Sequence, residues 1–179
     1  MIEKSFFAGF GGQGIISMGQ IWVYFAMQEG KNVTFFPFYG AEKRGGIARA
    51  GVIVSDEEID SPLVTCPDSA VVMNNDSLPL CEEILKPGGL MLINSSLVKE
   101  SPKRKNINVV TLEATGLAEK IGQIRFANMV ALGALARLTG ALKLIETEEL
   151  LKKFFPPDKH KFIPMNANAI RAGYNAWKK

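Results

Sequence analysis

The sequence predicts an α/β protein, a three-layer α/β/α sandwich around a mixed, mostly parallel sheet. Three observations carry this. Short β-rich runs alternate with helical patterns along much of the 179 residues, the order that places helices on the faces of a mostly parallel sheet. The first run ends in glycines and passes into an amphipathic helix, as a crossover unit does. An apolar fraction of 47% and this length suffice to bury a core without staples. The whole reads as one domain over residues 1–179.

Residues 5–10 form a short apolar run ending in glycine, the pattern of a buried parallel strand. In residues 15–28, Ile15, Ile16, Met18, Ile21, Trp22, Phe25 and Ala26 recur at helical spacing, and Gly30 stops the helix. Residues 32–38 are a second β-rich run. Residues 47–54 read as another strand, joined to the previous one by only a loop. Parallel neighbours need a long crossover, so this strand is expected to run antiparallel to one neighbour. Residues 69–74 are a short buried strand. A helix follows to about Leu85, capped by Asp76 or Ser77 and ended by Pro87-Gly88-Gly89. Strands are expected at 90–94 and 108–112. The last third is helical: 115–121 up to Gly122, 124–138 up to Gly140, a helix with Thr147 as its N-cap closed by Pro156-Pro157, and one from about Pro164 to Trp177. Lys178 and Lys179 suit the negative end of that helix.

The net charge of +3 gives no broad basic field, so nucleic acid is not an expected partner. No apolar segment reaches the roughly 18–20 residues of a membrane span, so no membrane partner is expected either. Met1-Ile-Glu-Lys4 leads straight into a strand-like run, and no signal peptide is expected. Two cysteines, Cys66 and Cys81, are too few for a disulfide framework and fit a reducing cytoplasm. Both are expected to be buried or half-buried. The run Lys103-Arg104-Lys105 reads as a solvated loop. His160, the single histidine, sits in a polar run and reads as a surface residue.

Function is carried by two loops. Gly9-Phe-Gly-Gly-Gln-Gly14 has dinucleotide-turn spacing, with a strand before it and an amphipathic helix after it. The first backbone N–H groups of that helix lack intrahelical partners and, with the dipole, make an anion site. Gly11, Gly12 and Gly14 allow a phosphate to approach the backbone, and Gln13 can add an amide. A tight turn that needs glycine for positive φ is the plainer reading.

The second loop is Tyr39-Gly40-Ala41-Glu42-Lys43-Arg44-Gly45-Gly46. It lies where a dinucleotide fold would place its ribose-binding acid. Residues 34–39 hold no carboxylate, which argues against NAD. Arg44 can fork onto a phosphate and Lys43 can add a point charge. Tyr39 can stack, and Gly40, Gly45 and Gly46 give hinges. An exposed charged turn is the alternative. Arg49, within a strand, must face solvent or find a partner. No Walker sequence follows the glycines. There is no His/Cys set at metal-ligand spacing, no Cys-x-x-Cys run for an iron–sulfur cluster and no Gly-x-Ser-x-Gly elbow. Asn74-Asn75 lacks the Gly-Asp-Gly that would begin a thiamine diphosphate motif. An anion-binding half without visible chemistry points to a subunit of something larger.

Gly9-Phe-Gly-Gly-Gln-Gly-Ile15, Tyr39-Gly-Ala-Glu-Lys-Arg-Gly-Gly46, Val52-Ile-Val-Ser-Asp56 and Ile59-Asp-Ser-Pro62, in that order, resemble the gamma subunit of 2-oxoacid:ferredoxin oxidoreductases. Pro87-Gly-Gly-Leu90 and Asn128-Met-Val-Ala-Leu-Gly-Ala134 also fit. The resemblance implies a half-Rossmann-like module within an assembly that oxidatively decarboxylates a 2-oxoacid with coenzyme A and passes electrons to ferredoxin. It implies alpha, beta and ferredoxin-like partner subunits, with thiamine diphosphate and the iron–sulfur clusters on those partners. This chain would hold the assembly together and help bind coenzyme A through Gly11, Gly12, Gln13 and Gly14, with Lys43 and Arg44 as phosphate partners. A homodimer in isolation is open. The loop leans toward 2-oxoglutarate, with pyruvate, branched-chain and indolepyruvate types behind. It departs from the 2-oxoglutarate pattern at Ala41, where proline is common, and at Lys43, where a small residue is common. A stand-alone NAD(P)-dependent oxidoreductase and a purely structural subunit are the competing readings. An apolar patch is expected to mark the partner face, with Phe35, Phe36, Phe38 and Tyr39 as candidates and core burial equally open for Phe35 and Phe36.

Overall fold

The computed structural model describes residues 1–39 and 46–177. Its elements are β1 (Ile2–Phe10), α1 (Ile15–Gln28), β2 (Asn32–Tyr39), β3 (Ile47–Ser55), β4 (Ser69–Val72), α2 (Leu78–Ile84), β5 (Leu90–Asn94), β6 (Asn108–Leu112), α3 (Ala114–Ile121), α4 (Ala127–Thr139), α5 (Thr147–Phe154) and α6 (Ile163–Tyr174). The strands form one sheet in the order β2-β3-β1-β4-β5-β6. β1, β4, β5 and β6 are parallel. β3 is antiparallel to both β1 and β2. The expectation of one antiparallel neighbour therefore falls short by one. β3 turns back on β2 through a loop and then fills the place beside β1, so β1 and β2 never pair.

Alternation along β1 divides the core. Phe7 points into a large cluster with Trp22, Phe25, Leu132, Leu135 and Ile170. Phe6 and Ala8 point the other way, into a smaller cluster with Leu78, Cys81 and Leu85 of the α2 layer. α1 is amphipathic for the first purpose, and its buried Gly19 lets Phe35 of β2 lie against it. Gly30, at φ 75°, ends α1. The Lys31 N–H donates to the Ala26 carbonyl at 3.1 Å and the Gly30 N–H to the Met27 carbonyl at 3.0 Å, the pair of bonds that closes a left-handed C-cap.

α4 is buried from Ala127 through Ala136. A helix apolar all round must be enclosed, and α1, α3, α6 and the sheet enclose this one. Its crossing with α6 is close because of two glycines. A Cβ on Gly133 would land on the Ile170 carbonyl, and one on Gly173 on the Val130 carbonyl.

Several local expectations are corrected. α2 is preceded by a 3-10 turn, Asn75–Ser77, and the cap is Asn74, whose Oδ1 accepts the Ser77 N–H at 3.2 Å. Ser77 holds the N-cap position of α2 but its side chain makes no capping bond, and Asp76 lies within the 3-10 turn. The helix expected at 124–138 begins as a 3-10 turn, Ile124–Phe126. Thr147 is the first residue of α5 and not its cap. Glu146 precedes it at φ 54°, and the Thr147 Oγ1 donates to the Leu144 carbonyl at 2.8 Å. α6 ends at Tyr174, and Lys178 and Lys179 lie outside the described residues. Arg104 is not simply solvated. Its Nη1 donates to the Leu85 carbonyl at 2.7 Å and also to the Glu82 carbonyl, satisfying the last carbonyls of α2. His160 is half-buried, with Nε2 2.9 Å from the Phe155 carbonyl. Cys66 is exposed, while burial pushes the Cys81 thiol up to about 12, against a smaller opposing pull from Arg49. Phe35 packs on the large cluster, Phe38 is half-buried on the small one, and Phe36 is exposed.

Gly173→Ala should therefore cost about 3 kcal/mol or more, the upper end for overpacking, read as a lower urea midpoint. Gly116→Ala, in α3 where a Cβ would meet only ordinary contacts, the nearest Glu113 Cβ at 3.8 Å, should be neutral or stabilise by up to about 1 kcal/mol.

Candidate functional site

The two helices that leave adjacent strands go to opposite faces. α1 follows β1 onto the large cluster and α2 follows β4 onto the small one. β1 and β4 are parallel neighbours. Between their carboxyl ends the chain diverges, and this is the crevice where open α/β sheets bind ligands. The glycine loop forms one wall and the 74–77 turn the other.

Residues 11–14 are shaped by conformation and by close contact. Gly12 has φ 96° and Gly14 φ 75°. A Cβ at Gly14 would strike the Asn128 amide, which donates from Nδ2 to the Gly14 carbonyl at 3.2 Å. Gly14 is the N-cap of α1, with no side-chain cap and no acidic residue in the first turn. The positive end of α1 is thus left without a compensating side chain of its own. Gly11 uses its N–H differently, donating to the Gly46 carbonyl at 3.0 Å.

Gln13 spans the crevice. Its Oε1 accepts the Phe10 N–H at 2.7 Å and its Nε2 donates to the Met73 carbonyl at 3.2 Å. The side chain read as a ligand amide is thus engaged in joining the end of β1 to the end of β4. A Cβ at Gly9 would collide with Gln13 Oε1, Ile15 and Met73, so that glycine makes room for the bridge.

The residues that flank the second loop lie at the same end of the sheet as the glycine loop. Phe10 pairs with Ile47, and the backbone of Tyr39 pairs with Ala48. Gly46 is tied to Gly11. Gly40, Lys43, Arg44 and Gly45 lie outside the described residues, as does the side chain of Tyr39. Arg49 stands opposite Ala8 and Phe38, on the face of the small cluster. Among the described residues its buried Nε has no hydrogen-bond partner, nor do Asn74 Nδ2 and Ser77 Oγ.

The residues that sequence reasoning missed lie on the other side of Asn128. A cavity of about 240 Å³ is lined by Ser17 of the first turn of α1, Arg125, Asn128, Phe155, Lys159 and Phe162, among others. Arg125 has its Cζ 4.0 Å from the Phe162 ring centroid and 5.2 Å from that of Phe126. Arg125 and Lys159 are 34 residues apart in the chain, in stretches with no motif, so no local signal could have paired them.

A family model described as pyruvate ferredoxin/flavodoxin oxidoreductase matches residues 4–176. The chain belongs to that family. Within it the chain is similar to 2-oxoglutarate synthase subunit KorC of Methanothermobacter marburgensis, 38% identical over 173 residues that cover 93% of this chain and 91% of the relative. The keto/oxoacid ferredoxin oxidoreductase gamma subunit from Geobacter sulfurreducens superposes with a TM-score of 0.82 at 28% identity, covering 97% of this chain and 96% of the other. The 2-oxoglutarate:ferredoxin oxidoreductase from Magnetococcus marinus, solved with 2-oxoglutarate, coenzyme A and succinyl-CoA bound, gives 0.84 at 25% identity. There this fold is 30% of a longer chain and the match takes in 97% of this one. The chain is a gamma-type subunit of a 2-oxoacid:ferredoxin oxidoreductase, with the α/β sandwich of those relatives. None of the helices described is long and apolar enough to cross a membrane.

Gln13→Ala deletes both bonds across the crevice and should lower stability by about 1–3 kcal/mol. Gln13→Glu should cost more, because it sets a carboxylate against the Met73 carbonyl. Thermal unfolding of the two variants checks the order.

Proposed function

We propose that this chain is the accessory gamma subunit of an assembly that converts a 2-oxoacid, with coenzyme A, to acyl-CoA and carbon dioxide while reducing ferredoxin, and that its part is to hold the assembly together and help bind coenzyme A. 2-Oxoglutarate is the favoured substrate, on the similarity to the KorC subunit and to the Magnetococcus marinus enzyme. Alpha, beta and ferredoxin-like subunits are the partners, and thiamine diphosphate and the iron–sulfur clusters belong on them, since this sequence carries no motif for either. The observation that carries the coenzyme A role is the uncapped start of α1 at the β1/β4 crevice. Its orphan backbone N–H groups and positive dipole end suit a diphosphate. Lys43 and Arg44 add full charges on the loop that joins the two strands ending at that edge. The reading keeps this chain as one domain in the cytoplasm.

A stand-alone NAD(P)-dependent oxidoreductase is less well supported, because β2 ends without a ribose-binding acid. A purely structural subunit is separated by substitution. In the assembled enzyme, Lys43→Ala with Arg44→Ala should raise the KM for coenzyme A by about ten- to hundred-fold, equivalent to about 1.5–3 kcal/mol. An unchanged KM would leave only the structural role. Purification of the tagged chain under anaerobic conditions should recover stoichiometric chains that bear the thiamine diphosphate and iron–sulfur motifs.

A further inference from the structure

We propose that the Arg125/Lys159 cavity, with Ile124 beside it, is a docking site for a partner subunit, which inserts an Asp or Glu side chain carried on an otherwise apolar segment. This rests on the reading of the chain as one subunit of a larger assembly, and it states where a partner sits.

Charge sets what the cavity takes. Arg125 and Lys159 line it, and among the described residues no carboxylate does. Lys161 adds a third cation, with Nζ 5.1 Å from the centroid of the Phe162 ring that forms part of the wall. The ion pairs among the described residues join Asp56 to Lys31 and the N-terminus, Asp68 to Lys86, and Glu148 to Arg171. None of them engages Arg125, Lys159 or Lys161, and the exposed Asp158 takes part in none. Cations gathered without an acid repel one another, and a carboxylate among them removes that cost.

The surroundings select a carboxylate that is attached to a protein. Phe126, Met129, Phe155 and Phe162 give the cavity a largely apolar wall. Ile124, next to Arg125 in the chain, is 62% exposed. A free anion would satisfy the cations and leave Ile124 in water, whereas a peptide segment covers both. Apolar surface also continues past the cavity. The ring of Phe155 lies 5.1 Å from that of Phe154, which lies 5.5 Å from Tyr24 of α1, and all three are partly buried. Arginine and aromatic side chains are the residues that protein interfaces favour at their centres.

The site is braced before anything binds. The Arg125 Cζ stands 4.0 Å from the Phe162 ring centroid, which fixes the guanidinium plane and leaves its N–H edge for a carboxylate. The buried Asn166 donates from Nδ2 to the Phe162 carbonyl at 2.8 Å. Docking then costs little side-chain freedom. Asn128 lines the same cavity and donates to the Gly14 carbonyl. A partner seated here stands next to the glycine loop.

The test is cross-linking of the assembled oxidoreductase with a water-soluble carbodiimide, which joins a lysine only to a carboxylate in contact with it. Mass spectrometry should find Lys159 linked to an Asp or Glu of a partner subunit. Lys159→Arg keeps the charge, so it should abolish that link while the partners stay bound. Arg125→Glu should weaken the affinity of the tagged chain for its partners by at least about tenfold and lower the salt concentration that releases them. An intact wild-type assembly in which Lys159 is linked to nothing, or only to acids of this chain or of a second copy of it, would overturn the docking site. So would an Arg125→Glu chain that binds its partners as tightly as the wild type. A raised KM for coenzyme A with that unaltered assembly would mean that a small anion occupies the cavity. Recovery of the wild-type chain without any partner would sink the assembly reading, and the docking site with it.

Discussion

Everything at the candidate site depends on Gly14 holding a left-handed conformation against the Asn128 amide. That one residue starts α1 without a side-chain cap, points the helix end at the crevice and ties the loop to α4. A side chain there would be strained by its φ and would collide with Asn128. A serine or aspartate cap would satisfy the helix from within. Glycine leaves the N–H groups for something else, and the fold then has to support an unsatisfied helix end by other means. It does so with Gln13 across to Met73 and Gly11 across to Gly46.

The sheet makes this arrangement possible. β3 lies between β1 and β2, antiparallel to both, and so brings the end of β2 at Tyr39 and the start of β3 at Ile47 to the end of the sheet where β1 finishes. A simple parallel crossover would have set β2 beside β1. On the other side, β4 sends its helix to the opposite face, which opens the crevice. The large cluster then closes over α4, whose near-complete burial requires α6 to come within backbone contact at Gly133 and Gly173. Rigid packing behind the loop is what allows two remote cations, Arg125 and Lys159, to meet at one cavity.

Much of this was legible in the sequence, for physical reasons. Short apolar β-rich runs located the strands, β1 and β4 being buried on both faces, and apolar residues at helical spacing bounded by glycine and proline located the helices. The glycine loop was readable because positive φ at Gly12 and Gly14 restricts the residue type. Register was not readable, since nothing local in residues 47–55 says that they pair on both sides. Cap geometry was not legible at Asp76, which lies in a 3-10 turn, at Ser77, which holds the N-cap position without a side-chain bond, or at Thr147, which follows a left-handed Glu146. Nor is the bridge that Gln13 makes to the backbone of Phe10 and Met73 legible, since Met73 is remote in the chain. Arg125 and Lys159 gave no signal, because only the tertiary fold brings them together. Arg104 gives no local signal for the same reason, since its carbonyl partners, Glu82 and Leu85, lie at the end of α2.

The most direct test of the central claim is hydrogen–deuterium exchange of the assembled oxidoreductase with and without coenzyme A, followed at the peptide that spans Gly11 to Ser17. If the uncapped start of α1 holds the diphosphate, saturating coenzyme A should slow exchange in that peptide. Unaltered exchange there, with protection by coenzyme A confined to the partner chains, would contradict it.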